Sequence, residues 1–370
     1  MQMTSRRGYL ALLFIFTIME ATAQLPAPVN DSLDSIFTSY FKEGQPGGAV
    51  LIAIDGRVVY KKAWGVEDIE TKKPITSQTS FNLGSISKTV VAYAILQLAQ
   101  QNKLSLQDDL LKFFPEFKNR DIARKVKIFH LLTHTSGLPD SRRVQEEHDF
   151  YLTAKDAENW APLLQTAQLE FEPGTKYKYS NPAFNGLALI IEKVSGQKWQ
   201  DYVKAAILQP SGMKHADITD GPHPASGVAH AYVLNRDNKF EELDYGEEPT
   251  FAAAGNGGVW GSVEDMWQYE QAIRQSVFLP AEWINLSRTV YPMPGWKDSI
   301  APRLGFSWFL TKDTGQDLIG HTGSQGGFVS DYCWWPGKKI FYTLLSNKPV
   351  PVQAIRQQVF SLPYFDFIKQ

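Results

Sequence analysis

The sequence predicts an α+β chain in which one sheet is split in sequence, with a helical insertion between its two parts. Three observations carry that expectation. Ala49 to Ile54 (AVLIAI) and Arg57 to Gly65 (RVVYKKAWG) flank Asp55-Gly56, a two-residue hairpin signal. Thr89 to Leu98 (TVVAYAILQL) is apolar nearly all the way round a helix, which predicts a buried central helix. Strand-like runs return late, at Gly305 to Leu310, Asp317 to Thr322, Phe328 to Trp335 and Ile340 to Ser346, spaced by turn signals such as Pro336-Gly337.

The chain opens on a targeting segment. Arg6 and Arg7 form a positive region, Gly8 to Met19 an apolar stretch too short to span a bilayer, and Ala21-Thr22-Ala23 a small-x-small cleavage signal. Residues 1–23 are expected to be a signal peptide, leaving an exported chain, periplasmic or secreted, with no transmembrane anchor. No cysteine follows the cleavage signal, so lipid attachment there is excluded.

Asp31 to Lys42 has apolar residues at helical spacing, with Asp31 or Ser32 as the expected N-cap and Gly47-Gly48 as the stop. Beyond the central helix, Leu104 to Phe117 reads as a short loop and helix. Val126 to Thr133 reads as a short helix running into His134-Thr135-Ser136-Gly137. Residues 141–170 read as polar and irregular, with a helical stretch near Ala154 to Gln168. Pro173-Gly174 marks a turn. Pro182 to Val194 is an amphipathic helix ended by Ser195-Gly196, and Trp199 to Leu208 is another, ended before Pro210. Gly221 to Pro249 shows no clear period and reads as loop. Val352 to Leu362 reads as a closing helix.

Composition narrows the function classes. The 370 residues are 43% hydrophobic and 21% charged, ordinary for a globular protein. A formal net charge of −2 points to neither nucleic acid nor an anionic membrane as partner. The single cysteine, Cys333, excludes an internal disulfide framework and a multi-cysteine metal site. His130 and His134 have the spacing of helical metal ligands but lack an intervening Glu and a third ligand, so they read as structural. No metal and no cofactor is expected.

The chemistry is expected at Ser85 and Lys88, at the start of the apolar helix. Three residues apart, they share one helix face. A serine in a first helical turn lies where unpaired N–H groups and the positive dipole end favour a developing anion. A lysine carried inward by a buried helix loses water and becomes easier to deprotonate. Together they form a nucleophile beside a base. The S-x-x-K pattern occurs four times, at Ser39, Ser85, Ser195 and Ser211. Only the Ser85 copy follows a glycine and opens a long apolar helix; the others fall inside a surface helix or in helix-ending turns. Tyr179-Ser180-Asn181 supplies a second proton-handling group, and Tyr179 is the only one of 15 tyrosines followed two residues later by Asn. In an extended loop Tyr179 and Asn181 point the same way. His321-Thr322-Gly323-Ser324 ends a strand-like run. Gly323 would let a substrate lie against the strand edge. The Ser324 N–H could pair with that of Ser85 as an oxyanion hole.

In order and context these motifs resemble those of the serine β-lactamase-like proteins: class C β-lactamases, D,D-carboxypeptidases, D-aminopeptidases and family VIII carboxylesterases. LLTHTSGLP at 131–139, PGTKYKYSNPAFNGLALIIEKVSG at 173–196, AAGNGGVWGSVEDM at 253–266 and GHTGSQGGF at 320–328 extend the likeness over roughly 30–362. The resemblance implies an antiparallel sheet flanked by helices beside a mostly helical domain, with the site between them. The sheet part would be about 24–84 and 250–370, the helical part about 85–249. It also implies Ser85 as acylated nucleophile, Lys88 and Tyr179 as its proton handlers, and Asn181 as substrate-binding. His321 stands where β-lactamases carry the Lys of K-T-G, and no residue answers to the deacylating Glu of class A. The expectation is therefore an exported serine hydrolase acting through an acyl-enzyme on a small-molecule or peptide substrate: a D-amino-acid peptide, a peptidoglycan stem or a small ester. The alternative is a penicillin-binding or sensory protein that is acylated with little turnover.

Overall fold

A computed structural model describes residues 25–142, 154–218, 227–243, 254–291, 303–313 and 315–368. The expected signal peptide lies outside the described residues. Helix α1 spans Ala27–Tyr40 and begins before the expected Asp31 cap, because Pro28 occupies the first turn, where its missing N–H leaves no bond unmade. Its Leu33 and Phe37 are buried, as is Phe41 just beyond it. The helix ends there rather than at Gly47-Gly48; Gly48 already belongs to a strand.

Strands β1 (Gly48–Ile54) and β2 (Arg57–Trp64) form the expected hairpin. Asp55 and Gly56 both take positive φ, 50° and 82°, the geometry of the tight turn that matches strand twist. After β3 (Phe81–Asn82), a 3₁₀ turn at Gly84–Ile86 leads into α2 (Ser87–Gln100). Nearly every residue of α2 is buried, as its unbroken apolar sequence requires. The helical half continues with α3 (Leu110–Phe113), α4 (Arg120–Lys125), α5 (Ile128–Leu132), α6 (Asp156–Leu164) and α7 (Asn181–Ser195). Helix α8 (Trp199–Val203) runs on into a π-helical turn at Lys204–Leu208. Gly196, in the left-handed region at φ 73°, ends α7 as expected.

Gly221 to Pro249 departs from the expected loop. It carries a small hairpin, β4 (Tyr232–Leu234) with β5 (Phe240–Glu242). Strands of three residues offer too few positions for an alternating pattern to register. Then follow β6 (Trp260–Gly261), paired with β3, and helices α9 (Val263–Arg274) and α10 (Ala281–Ser287).

Four late strands complete the sheet: β7 (Phe309–Asp313), β8 (Gln316–Gln325), β9 (Phe328–Trp335) and β10 (Ile340–Ser346). The first starts later than the expected Gly305–Leu310 run. Residues 305–308 instead make a tight turn, with Ser307 at φ 63° and the Gly305 N–H bonded to the Trp308 carbonyl. All six strands form one antiparallel sheet in the order β2-β1-β10-β9-β8-β7. The early hairpin joins the late strands through β1 and β10, with Gly48 opposite Ser346 and Ile54 opposite Ile340.

Side chains of β1 alternate between two cores, as period 2 demands. Val50 and Ile52 pack with Leu33 and Phe37 of α1 and with Ile355 and Val359 of the closing helix α11 (Val352–Ser361). Ala49, Leu51 and Ala53 join the larger core, which holds α2, α7 and α9. The site lies at the join between this core and the end of β8.

Candidate active site

The turn that carries Ser85 is held by one backbone bond and two from side chains. The Leu83 N–H donates to the Val259 carbonyl, Ser330 Oγ to the Leu83 carbonyl, and the Gly84 N–H to Asn82 Oδ1. Gly84 has φ 52°, and a Cβ there would lie 2.7 Å from the Ser324 nitrogen. Gly323 meets the same turn from the other side: a Cβ on it would stand 2.1 Å from the Leu83 oxygen. Gly323 therefore serves the docking of β8 on the Ser85 turn, in addition to lining the cavity beside it. This contact brings the backbone of Ser324 beside that of Ser85.

Ser85 is partly exposed between buried neighbours, and Lys88 behind it is fully buried. Lys88 Nζ lies 2.9 Å from Ser85 Oγ and donates to the Asn256 carbonyl at 2.6 Å. It stands 5.1 Å from the centre of the Tyr179 ring. Burial holds the amine well below the usual lysine range, and the positive charge of Arg142 acts in the same direction. Among the described residues no carboxylate forms an ion pair with it. With one N–H spent on a carbonyl, a neutral Lys88 has a lone pair to offer the Ser85 hydroxyl.

Asn256 was not among the expected site residues. It acts through its carbonyl, so the residue type carries no signal. Its placement does. The Gly255 N–H donates to Asp156 Oδ1 at 2.8 Å, and Asn185 Nδ2 donates to both Asp156 Oδ1 and Asn256 Oδ1. Asp156 on α6 and Asn185 on α7 thus pin the turn that faces Lys88.

Tyr179 precedes α7 and Asn181 is its first residue, with Ser180 between them as the N-cap. His321 lies on β8 opposite Tyr332, and the β7 ladder ends one position earlier, at Phe309 opposite Gly320. From His321 onward that edge of β8 faces a cavity instead of β7. Its volume is about 690 Å³, and Ser85, Tyr179, Asn181, His321, Gly323 and Ser324 all line it. The expected residues therefore converge, with Lys88 beneath the floor. Phe309, Val350, Pro351 and Val352 form an apolar wall.

The His321 ring is tied to its own strand. Nδ1 is 2.6 Å from the Thr322 carbonyl, an acceptor, so Nδ1 carries the proton and Nε2 the lone pair. The remaining ring nitrogen is an acceptor. Burial, and then the Lys88 charge, push it down to about 3, so the imidazole is neutral across the physiological range. The His130 and His134 rings serve different backbone groups: each Nδ1 accepts an N–H, from Lys127 and Ser180 respectively.

The comparisons agree with this architecture. Penicillin-binding protein 4* of Bacillus subtilis (strain 168) is 25% identical over 338 residues, 85% of this chain and 71% of the relative. Esterase EstB of Burkholderia gladioli is 28% identical over 350 residues, 85% of this chain and 88% of the relative. Among solved structures, the octameric penicillin-binding protein homologue from Pyrococcus abyssi superposes with a TM-score of 0.78 at 27% identity, covering 91% of this chain and 76% of that one. The model of the family described as Beta-lactamase matches residues 30–359, and the chain belongs to that family of serine hydrolases.

Proposed function

We propose that the protein is an exported hydrolase that forms an acyl-enzyme at Ser85 on esters or amides lacking a carboxylate beside the scissile bond. One observation carries the reading: Lys88 Nζ, buried with no carboxylate partner among the described residues, 2.9 Å from Ser85 Oγ. As the Ser85 Oγ–carbon bond forms, Lys88 takes the hydroxyl proton. The tetrahedral oxyanion is held by the N–H groups of Ser85 and Ser324. Its collapse breaks the bond to the alcohol or amine, which leaves with a proton delivered through Tyr179. Water, deprotonated by the same Lys88–Tyr179 pair, then splits the acyl-serine. Asn181 binds the substrate's polar flank.

The restriction on substrate follows from His321 and its surroundings. A neutral ring with its lone pair on Nε2 gives a carboxylate no cation, and Phe309, Val350, Pro351 and Val352 add an apolar lining. The Burkholderia gladioli relative is by name an esterase, which supports ester substrates. Export rests on residues 1–23, and N-terminal sequencing of the mature protein should begin at Gln24.

The mature protein should be assayed with a short p-nitrophenyl ester, a D-amino-acid p-nitroanilide and the cephalosporin nitrocefin. The proposal expects steady turnover of the ester or the anilide and slow turnover of nitrocefin. A stoichiometric burst with no later turnover on every substrate would instead identify a protein that is acylated and stays so.

A further inference from the structure

His134 follows the last turn of α5 and closes it. The His134 N–H bonds to the Leu131 carbonyl and the Thr135 N–H to the His130 carbonyl, the paired bonds of a left-handed helix stop. His134 accordingly has φ 56°. That position normally takes glycine, because a Cβ crowds the following carbonyl there. A residue held in an unfavourable backbone region calls for a compensating role.

The compensation is visible in what His134 touches. Its carbonyl accepts the Lys178 N–H at 3.0 Å, and its Nδ1 accepts the Ser180 N–H at 3.0 Å. The two bonds fall on either side of Tyr179. Between them the imidazole stacks on the Tyr179 ring, with centroids 4.3 Å apart and planes 26° apart. One residue thus grips Tyr179 before, behind and across its face. A glycine could make only the first of these contacts.

Resting on the reading of Tyr179 as proton handler, we infer that His134 is its positioning residue, a clamp that fixes the phenol relative to Lys88 and Ser85. The Nδ1 acceptor role places the ring proton on Nε2 and keeps the clamp in one tautomer. The charged and titratable groups around it are Lys88 from α2, His321 from β8, Tyr177, whose ring meets it edge-on, and Tyr179 itself. Burial, followed by the charges of Lys88 and His321, holds the ring well below the ordinary histidine range, so it adds no positive charge beside the phenol. His134, in sequence one of a pair that reads as structural, packs against a residue that lines the cavity.

The test is a double-mutant cycle of His134→Gly with Tyr179→Phe, assayed on a p-nitrophenyl ester. Glycine suits φ 56°, so the turn is kept while the stack and the Nδ1 acceptor are lost. His134→Gly should fold and lower kcat about ten- to a hundredfold, with KM changing less than about threefold. In the Tyr179→Phe background the same change should alter kcat by less than about twofold, because the residue it positions is gone. Equal losses in both backgrounds would overturn the clamp while leaving Tyr179 in its role. A Tyr179→Phe enzyme with wild-type kcat would overturn the role of Tyr179, and the clamp with it. His134→Asn, which tolerates the same φ and offers an amide oxygen to Ser180, should recover part of the lost kcat. If both variants unfold at assay temperature, His134 is a folding residue and the inference falls.

Discussion

Gly84 and Ser324 touch backbone to backbone: a Cβ on Gly84 would lie 2.7 Å from the Ser324 nitrogen. This contact aligns the turn carrying Ser85 with the end of β8. It makes the proposed oxyanion hole a property of two chain segments rather than of any side chain. The positive φ of Gly84 adds a second reason for glycine. Gly323→Ala, whose Cβ would meet the Leu83 oxygen at 2.1 Å, should push the two segments apart. We expect kcat to fall by about 10²-fold or more, the scale of losing one oxyanion donor. Wild-type kcat in a folded Gly323→Ala protein would show that the two N–H groups do not act together.

Lys88 and Tyr179 should behave as one proton-transfer unit. Lys88→Ala and Tyr179→Phe should each cost on the order of 10²-fold or more, the scale of general-base loss. The double variant should be little worse than the worse single one. Losses that multiply would assign the two groups independent roles.

Asp156 makes a stability prediction with a defined sign. Burial raises its carboxyl from 3.8 to about 7, against the hydrogen bonds from Asn185 and Gly255. Between those values the unfolded chain holds fewer protons than the folded one, so this group makes stability fall as pH rises through that window. Asp156→Asn keeps an oxygen for both donors and removes the titration. Its Tm should depend less on pH from 4 to 7 than that of the wild type. An unchanged slope would place the carboxyl in another protonation state.

His321 should contribute no charge at working pH. Its ring is held at about 3, so the ratio of kcat/KM for a carboxylate-bearing substrate to that for a neutral ester should stay flat from pH 5 to 8. A rise of that ratio toward low pH, centred near the ordinary histidine value of about 6.5, would mean that the ring ionises with substrate bound. His321→Lys should shift preference toward nitrocefin by roughly ten- to a hundredfold, the equivalent of one charge-assisted contact.

What the sequence made legible were features with a period or a spacing. The β1–β2 hairpin, the apolar α2, the late strands and the Ser85, Tyr179 and His321 motifs all belong to that kind. The hairpin of Tyr232–Leu234 with Phe240–Glu242 escaped because three-residue strands have no period to detect. The start of α1 escaped because the cap rule favoured Asp31 over the proline-led turn that forms. The Asn256 carbonyl, the Asp156–Asn185 pair behind it and the packing of Gly323 on the Ser85 turn escaped for another reason. Each depends on contacts between segments far apart in the chain, which no local period or spacing records.

The most direct test of the account is where a covalent probe lands. The mature protein should be treated with a fluorophosphonate and the adduct mapped by mass spectrometry, alongside a Ser85→Ala control. A single adduct on Ser85, absent from the control, is the predicted result. An adduct on Ser39, Ser195 or Ser211, or undiminished labelling of Ser85→Ala, would contradict it.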